Sequence, residues 1–467
     1  MLLATIARAR GWDAKVYVEE ISPIDYRDAL TADIVGISTI TSTAERAYAI
    51  ADALRLYHVP VVMGGPHPTF LADEALTHCD YVVRGEGEEA LPILLEVIAN
   101  GGDLGAVPNL SFRDEQGEVR HNPQTSTIED LDALPYADFN LIAGWKLERS
   151  FNGRPILPIQ ATRGCPYGCN FCSVIGMFGR KMRFRSAANV LGELEQYKNQ
   201  NVHIFFYDDN FTANPARAKE IVNGAMVERK LCGSWSAQVR TDIARDEEML
   251  RLMKATNCTT LYIGFESVNP AALKEMNKKQ SVENIVDAVD RFREHGIDVH
   301  GMFVLGFDSD TPQTLAETVR FVRRSSINSV QLMILTPLPG TPLFDNLQAA
   351  GRLKTRSWSN YDAHHVVFTP KNVSAWELQW AQIKGHARFY SLRRAIKVFA
   401  DGQLTNGAIY LYAHKANRQW QRANRVYLKV LKLAERARDF RLSFDFKFDF
   451  AEIFSQVQLA ASALAIA

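Results

Sequence analysis

Leu157-Pro158-Ile159-Gln160-Ala161-Thr162-Arg163-Gly164-Cys165-Pro166-Tyr167-Gly168-Cys169-Asn170-Phe171-Cys172 is the stretch on which the fold turns. Residues 157–162 read as a short buried strand closed by a glycine turn. Three cysteines follow directly, spaced C-x3-C-x2-C. Thiolates so close together on one loop are ligands for a metal centre. Three of them hold three irons of a cubane and leave one iron open, whereas four cysteines saturate the cluster for electron transfer. An open position is what a metal centre needs to bind a reactant. Gly164 and Gly168 let the loop wrap round an inorganic core, and Phe171 shields it from water. A structural zinc site needs a fourth ligand, and no histidine stands nearby at zinc-finger spacing. Three unrelated buried cysteines would need neither the glycines nor the strand-end position.

The other cysteines are Cys79, Cys232 and Cys258, scattered through the 467 residues and read as small buried hydrophobes. A secreted disulfide framework would space them more evenly in a shorter chain. The length implies two or three domains. Formal net charge is zero, which gives no electrostatic case for a nucleic-acid partner. No apolar run is long enough to span a bilayer, and residues 1–11 lack a signal-peptide core, so a cytoplasmic location is expected.

Outward from the cysteines, residues 151–350 repeat a strand–helix rhythm. Strands are expected at 157–162, 203–208, 234–239, 260–265, 298–305 and 329–335, with helices at 187–199, 284–295 and 314–324 between them. Six such units fit an open, partial barrel better than a closed eightfold one. Residues 1–115 alternate in the same way in shorter units. Strands are expected at 15–19, 33–38, 60–64 and 81–84, with helices at 45–56 and 88–99, as in a parallel doubly wound sheet. That segment opens with a helix at 2–10 where a buried strand is expected, as if an initial strand and loop were lacking. Its strand ends carry Ser38-Thr39-Ile40-Thr41, Gly64-Gly65-Pro66-His67-Pro68 and Gly85-Glu86-Gly87-Glu88, the edge at which such sheets bind ligands. Residues 116–150 read as a linker preceded by a short strand at 109–113. Residues 351–467 read as mostly helical, with a capping box at Ser374 and Glu377, long helices at 374–399 and 408–438, and a short strand at 444–450.

The cysteine loop at a strand end resembles the radical S-adenosylmethionine superfamily, and the resemblance continues strand by strand. Asp208 and Asp209 end the second strand, where the superfamily contacts the methionine amino group. Gln238 and Arg240, with Asp242, follow the third, a place that holds the methionine carboxylate. Glu266 ends the fourth, where a carboxylate takes the ribose hydroxyls. Leu305, within Gly301-Met302-Phe303-Val304-Leu305-Gly306, belongs to the adenine wall on the fifth. The N-terminal segment resembles the cobalamin-binding domain of one subfamily, with Ser38, Gly64 and Gly65 as its contacts. The similar stretches include Arg84-Gly85-Glu86-Gly87-Glu88 and, downstream, Thr336-Pro337-Leu338-Pro339-Gly340-Thr341-Pro342. Anaerobic magnesium-protoporphyrin monomethyl ester cyclase and methylases of unreactive carbons share this layout. The D-x-H-x-x-G motif that supplies histidine to cobalt in one class of cobalamin proteins is absent, and His67 is the nearest candidate.

The resemblance implies a Rossmann-like (flavodoxin-like) domain, a partial (β/α)6 barrel and a helical C-terminal region. It implies a [4Fe–4S] cluster on Cys165, Cys169 and Cys172, S-adenosylmethionine and cobalamin, with electrons from a reductase such as flavodoxin or ferredoxin. The reaction implied is reductive cleavage to a 5′-deoxyadenosyl radical and hydrogen abstraction from an unactivated carbon. Methylation through cobalamin leads, and oxidative cyclisation or rearrangement is the alternative. An electron-carrying iron–sulfur protein is the non-enzymatic one. A tRNA methylthiotransferase is disfavoured because only Cys79 precedes the motif. Tyr167, Asp209 and His364 are guesses for acid–base roles. The neutral charge and the Phe-rich tail point to an apolar, lipid-like or tetrapyrrole small-molecule substrate. The run of Lys and Arg after Ala408 reads as a solvated face, with an anionic membrane surface as the other reading.

Overall fold

The computed structural model describes residues 1–125, 127–146, 154–224, 230–231, 233–278 and 280–441, with side chains to residue 438. The strand expected at 444–450 and Cys232 lie outside the described residues. The first sheet has five strands in sequence order, β1 (Val35–Ser38), β2 (Val61–Gly64), β3 (Tyr81–Val83), β4 (Leu110–Arg113) and β5 (Val119–His121). β1, β2 and β3 are parallel, but β4 and β5 run antiparallel. The sheet is therefore mixed, and the turn at Asp114–Gly117 makes a hairpin that carries it past residue 115 to His121. The strand expected at 15–19 does not form. Val16 instead makes one isolated bridge to Ile142, exchanging backbone hydrogen bonds with Leu141 and Ala143. The linker thus ties down the N-terminal segment, and Leu131 and Phe139 bury against the body.

Beyond the linker, β6 (Ile156–Ile159) enters a six-stranded parallel sheet. Its other members are β9 (His203–Phe206), β10 (Ser234–Val239), β11 (Cys258–Glu266), β12 (Asp298–Leu305) and β13 (Ser329–Ile334), in the order β6-β9-β10-β11-β12-β13. β7 (Thr162–Arg163) and β8 (Arg183–Phe184) form a small antiparallel pair beside it. The crossover helices start where side chains satisfy the first free amides. Ser186, Asn214, Asp246, Ser281 and Thr311 each cap one, and Thr311 closes a capping box. One face of the strands, with Leu157, Ile204, Trp235, Leu261, Phe303 and Leu332, packs under Leu194, Ile221, Met253 and Phe292 of the helices. Alternation leaves Phe205, Tyr262, His300, Met302, Gln331 and Met333 half-buried on the opposite, concave face. There Tyr262 lies 5.4 Å from Phe205 and 5.0 Å from His300 between ring centroids.

An open sheet leaves an edge strand with unpaired backbone groups. The helix Ala375–Phe389 covers that of β13 with side chains. His386 Nε2 accepts from the Leu332 amide, Gln382 donates to the Leu332 carbonyl, and the Tyr390 hydroxyl bridges the Val330 amide and carbonyl at 2.7 Å each. The capping box at Ser374 and Glu377 forms, but the helix expected to run to 399 stops at Tyr390, and Ser391 starts a second helix, Leu392–Ala400. The helix expected at 408–438 likewise divides at Asn424 into Leu404–Ala423 and Arg425–Arg441. Both breaks serve tertiary contacts. Tyr390 reaches the edge strand, and Asn424 meets His365 Nε2 at 3.0 Å.

Candidate radical centre

The β7–β8 pair brackets the cysteine loop. Gly164 lies at φ +87°, where a Cβ would stand 2.5 Å from the Lys181 carbonyl oxygen, so only glycine closes the bracket. Gly168 has no such need. Its φ is ordinary, and its carbonyl accepts from Asn277 Nδ2 at 3.4 Å. The loop is anchored further by Asn170, which donates to the Glu275 carbonyl and accepts from the Leu343 amide. Phe171 packs edge-on against Phe307 with centroids 6.1 Å apart.

Cys165, Cys169 and Cys172 are half-buried and unbonded to one another. Burial pushes the Cys172 thiol up to about 12, and burial also raises that of Cys169. The charges of Lys278 and Arg240 act on Cys169 in the other sense, favouring its thiolate. No three His, Cys, Asp or Glu side chains among the described residues converge on one ion. Ligands of a cubane each hold a different iron, so their sulfurs need not converge.

The remaining expected site residues divide into two groups. Asp209 stands exposed just beyond the end of β9. Burial by its surroundings lifts its pKa to about 6, and its charge reaches Cys172. Arg240 lies over the Tyr167 ring of the cysteine loop, its Cζ 3.8 Å from the centroid. Gln238 is half-buried on the concave face, in register with Tyr262. Glu266 sits at a bulge in β11 at φ +61°, and its Oε1 accepts from Lys278 Nζ at 2.6 Å.

Asp208 and Leu305 do not face the site. Asp208 is 1% exposed, and its Oδ1 accepts from the Ala161 amide at 2.9 Å, holding the strand end that precedes the cysteines. Leu305 is spent on the core with Phe307, Leu315 and Ile334, because its position on β12 alternates toward the helices. Lys278 was missed by sequence reasoning. It is buried beside the site, donating to Glu266 and to the Gly264 carbonyl, but nothing in its neighbours marks it.

The carboxyl end of the first sheet meets this loop. Glu86 binds both guanidinium nitrogens of Arg183 at 2.7 Å and lies 3.3 Å from Arg163, while Glu88 meets Arg163 at 2.6 Å. Arg163 and Arg183 are the strand residues on either side of the loop. Phe70 enters a slot between Gly176 and Gly340, each of which would collide with its ring if it carried a Cβ. Ser38 is exposed at the strand end. Gly65, at φ +91°, crosses Thr39 so closely that a Cβ would stand 2.7 Å from the Thr39 carbonyl oxygen, and Gly64 precedes it. His67 is fully buried. Its Nε2 lies 2.9 Å from the Tyr48 hydroxyl, and its ring stands edge-on to Trp358. It is packed inside the domain and not offered to a ligand at the strand ends.

Residues 159–322 match the family model of the Radical SAM superfamily, and residues 1–95 match that of the B12 binding domain. An uncharacterized methyltransferase of Pyrococcus horikoshii is 33% identical over 365 residues, covering 77% of this chain and 78% of that protein. The chain belongs to the radical SAM superfamily, in the branch with a B12-binding domain. The bacteriochlorophyllide d C-12(1)-methyltransferase of Chlorobaculum tepidum is 30% identical over 383 residues, covering 81% of this chain and 79% of that one. The structure of the radical S-adenosylmethionine methyltransferase TsrM of Kitasatospora setae, with cobalamin and a [4Fe–4S] cluster bound, shares the fold. Its TM-score is 0.60 at 21% identity, over 75% of this chain and 74% of that one.

The two family matches imply a [4Fe–4S] cluster, S-adenosylmethionine and cobalamin as cofactors. The chain's residues fit them. Three free thiols flanked by two cations suit an electron-rich cluster. An exposed carboxylate and an arginine oriented by stacking suit the two ends of an amino acid. The exposed Ser38 and the tight Gly64-Gly65 crossing leave a backbone-lined edge at the end of the first sheet.

Proposed function

We propose that this enzyme methylates an unactivated carbon of an apolar, tetrapyrrole-like small molecule, in the cytoplasm, with electrons from a flavodoxin- or ferredoxin-type reductase. The observation that carries the reading is the junction of Glu86 and Glu88 with Arg163 and Arg183, which holds a strand end of the first sheet against the cysteine loop. When bound, the reduced cluster and S-adenosylmethionine supply a 5′-deoxyadenosyl radical, and cobalamin supplies the methyl group. The chain's own residues do the rest. Cys165, Cys169 and Cys172 would hold the cluster. Asp209 accepts from the methionine ammonium, Arg240 and Gln238 hold its carboxylate, and Glu266, steadied by Lys278, accepts from the ribose hydroxyls. Phe205, Tyr262, Met302 and Met333 line the concave face with aromatic and thioether surface, which suits a flat apolar substrate.

The test is anaerobic reconstitution with iron, sulfide and cobalamin, followed by reduction in the presence of methyl-deuterated S-adenosylmethionine and bacteriochlorophyllide d. The expected products are 5′-deoxyadenosine and a deuteromethylated chlorin. Release of 5′-deoxyadenosine with a product that has gained no methyl group would replace methylation with oxidation or cyclisation. No 5′-deoxyadenosine in wild type, or as much in Cys169→Ala, would overturn the radical assignment.

A further inference from the structure

The helices Leu392–Ala400 and Leu404–Ala423 pack as a hairpin, with Gly407 closed against the Phe399 ring. The inner side of the first is apolar, as a packed helix requires, through Ala395, Val398 and Phe399. The same apolar sector runs on into solvent, while Arg393 and Lys397 take the opposite side. Leu392 is 49% exposed and Ile396 69%, one turn apart. The second helix continues the pattern with Leu404 at 69%, Leu411 at 42% and Tyr412 at 73%. A helix that serves only the core has no need of an apolar sector that reaches so far into solvent.

The charge on the same pair of helices is one-sided. They carry six Arg and Lys residues and no Asp or Glu, in a chain whose formal net charge is zero. Arg394 is engaged, stacked 4.1 Å from the Phe389 ring centroid. Arg393 and Lys397 are exposed, each next in sequence to Leu392 and Ile396, and Lys415, Arg418 and Arg422 extend the exposed face of the second helix. Apolar side chains set among exposed cations, with Asp401 in the connecting turn as the one acid of the hairpin, match the boundary of an anionic bilayer, where alkyl groups enter and ammonium and guanidinium groups meet phosphates. A protein partner would need acidic side chains placed against each cation. A lipid surface supplies negative charge everywhere.

We propose that this helical hairpin docks the enzyme peripherally on an anionic phospholipid surface, through Leu392, Ile396, Leu404 and Tyr412 with Arg393 and Lys397 beside them. No described helix is long and apolar enough to cross a membrane, so the contact lies in the interface plane. The inference is independent of methyl transfer, and its test needs no cofactor.

The purified full chain is sedimented with vesicles of phosphatidylcholine alone and with vesicles containing one quarter phosphatidylglycerol. The expected result is roughly tenfold more protein on the anionic vesicles, lost at high salt. The double variant Leu392→Asp with Ile396→Asp should lose that binding by about tenfold and keep the wild-type unfolding temperature, since both side chains are exposed. Absence of binding to the anionic vesicles, or equal binding by wild type and variant, overturns the proposal. So does a wild-type dimer that the variant converts to monomer, because a second copy would then cover the face.

Discussion

Glu86 holds Arg183 through both carboxylate oxygens, each 2.7 Å from a guanidinium nitrogen, with both side chains 3% exposed. Burial alone raises the Glu86 carboxyl pKa. Hydrogen bonds from Arg183 and the Ile128 amide, with the charge of Arg163, outweigh burial and hold it below its ordinary value. Removing one partner of such a pair strands a buried charge and costs roughly 3–5 kcal/mol. Glu86→Ala should therefore lower the unfolding temperature markedly. The sign with pH follows from the depressed pKa. The contribution of Glu86 is complete above its unfolded value of 4.5 and is lost as pH falls through the lower folded value. Melting curves of wild type and Glu86→Ala should converge in acid. Curves that stay parallel down to the acid limit would deny the pair its role.

Phe70 is the apolar counterpart of that clamp. Its half-buried ring fills a slot that exists because Gly176 and Gly340 lack side chains. Phe70→Ala should cost about 1–3 kcal/mol, less than a fully buried phenylalanine. Gly340→Ala should be worse, since the new methyl meets the ring while the backbone stays at φ +79°. Chemical denaturation of the two variants checks the order, and a silent Gly340→Ala would mean that the slot is not as tight as drawn.

Arg240 over Tyr167 couples the third strand to the cysteine loop. Losing a charge-assisted hydrogen bond to a carboxylate costs about 1.5–3 kcal/mol, or on the order of 10–100-fold in affinity. Arg240→Ala should weaken S-adenosylmethionine binding by that factor while iron per chain stays at the wild-type level. Equilibrium dialysis with labelled S-adenosylmethionine measures the first, and iron assay the second. If iron falls with affinity, Arg240 supports the loop and not the ligand.

Much of this architecture was legible in the sequence because its signals are local. The cysteine spacing, the six apolar strand runs and the Ser374–Glu377 box each lie within a few residues. Where the sequence misled, distance was the reason. Glu86 and Glu88 look like carboxylates at a ligand-binding edge, and Arg183 lies 97 residues from Glu86. Asp208 and Asp209 are adjacent and chemically alike, and just beyond the end of β9 one is buried and the other exposed. Lys278 gains meaning only through the bulge that turns Glu266 toward it. β5 is too short at three residues to show a period, and the break at Tyr390 exists for the sake of a strand edge far from it in sequence.

That edge can be tested. Tyr390→Phe removes the hydroxyl that bridges the Val330 amide and carbonyl and leaves both without their partner. An unsatisfied buried group costs about 1–3 kcal/mol. Amide exchange at Val330 should accelerate well beyond that at Leu261 in the centre of the sheet. Uniform acceleration across all six strands would indicate global loosening instead.

Asp208 yields a prediction of opposite sign to that for Glu86. Burial lifts its carboxyl from 3.8 to about 6, against the hydrogen bonds from Thr162 and the Ala161 amide, and its Oδ2 has no hydrogen-bond partner. The folded state therefore binds this proton more tightly than the unfolded one. Stability from this group is present below the unfolded value and is lost as pH rises through the folded one. A shift of about two units corresponds to roughly 3 kcal/mol across that window. Asp208→Asn cannot ionise and has no such slope. The difference in unfolding free energy between wild type and Asp208→Asn should fall steadily from pH 3.8 to about 6 and then level off. A flat difference would show that Asp208 is already ionised throughout, with Arg217 as its countercharge, and would make the strand end before the cysteines an ion pair in place of a protonated keystone.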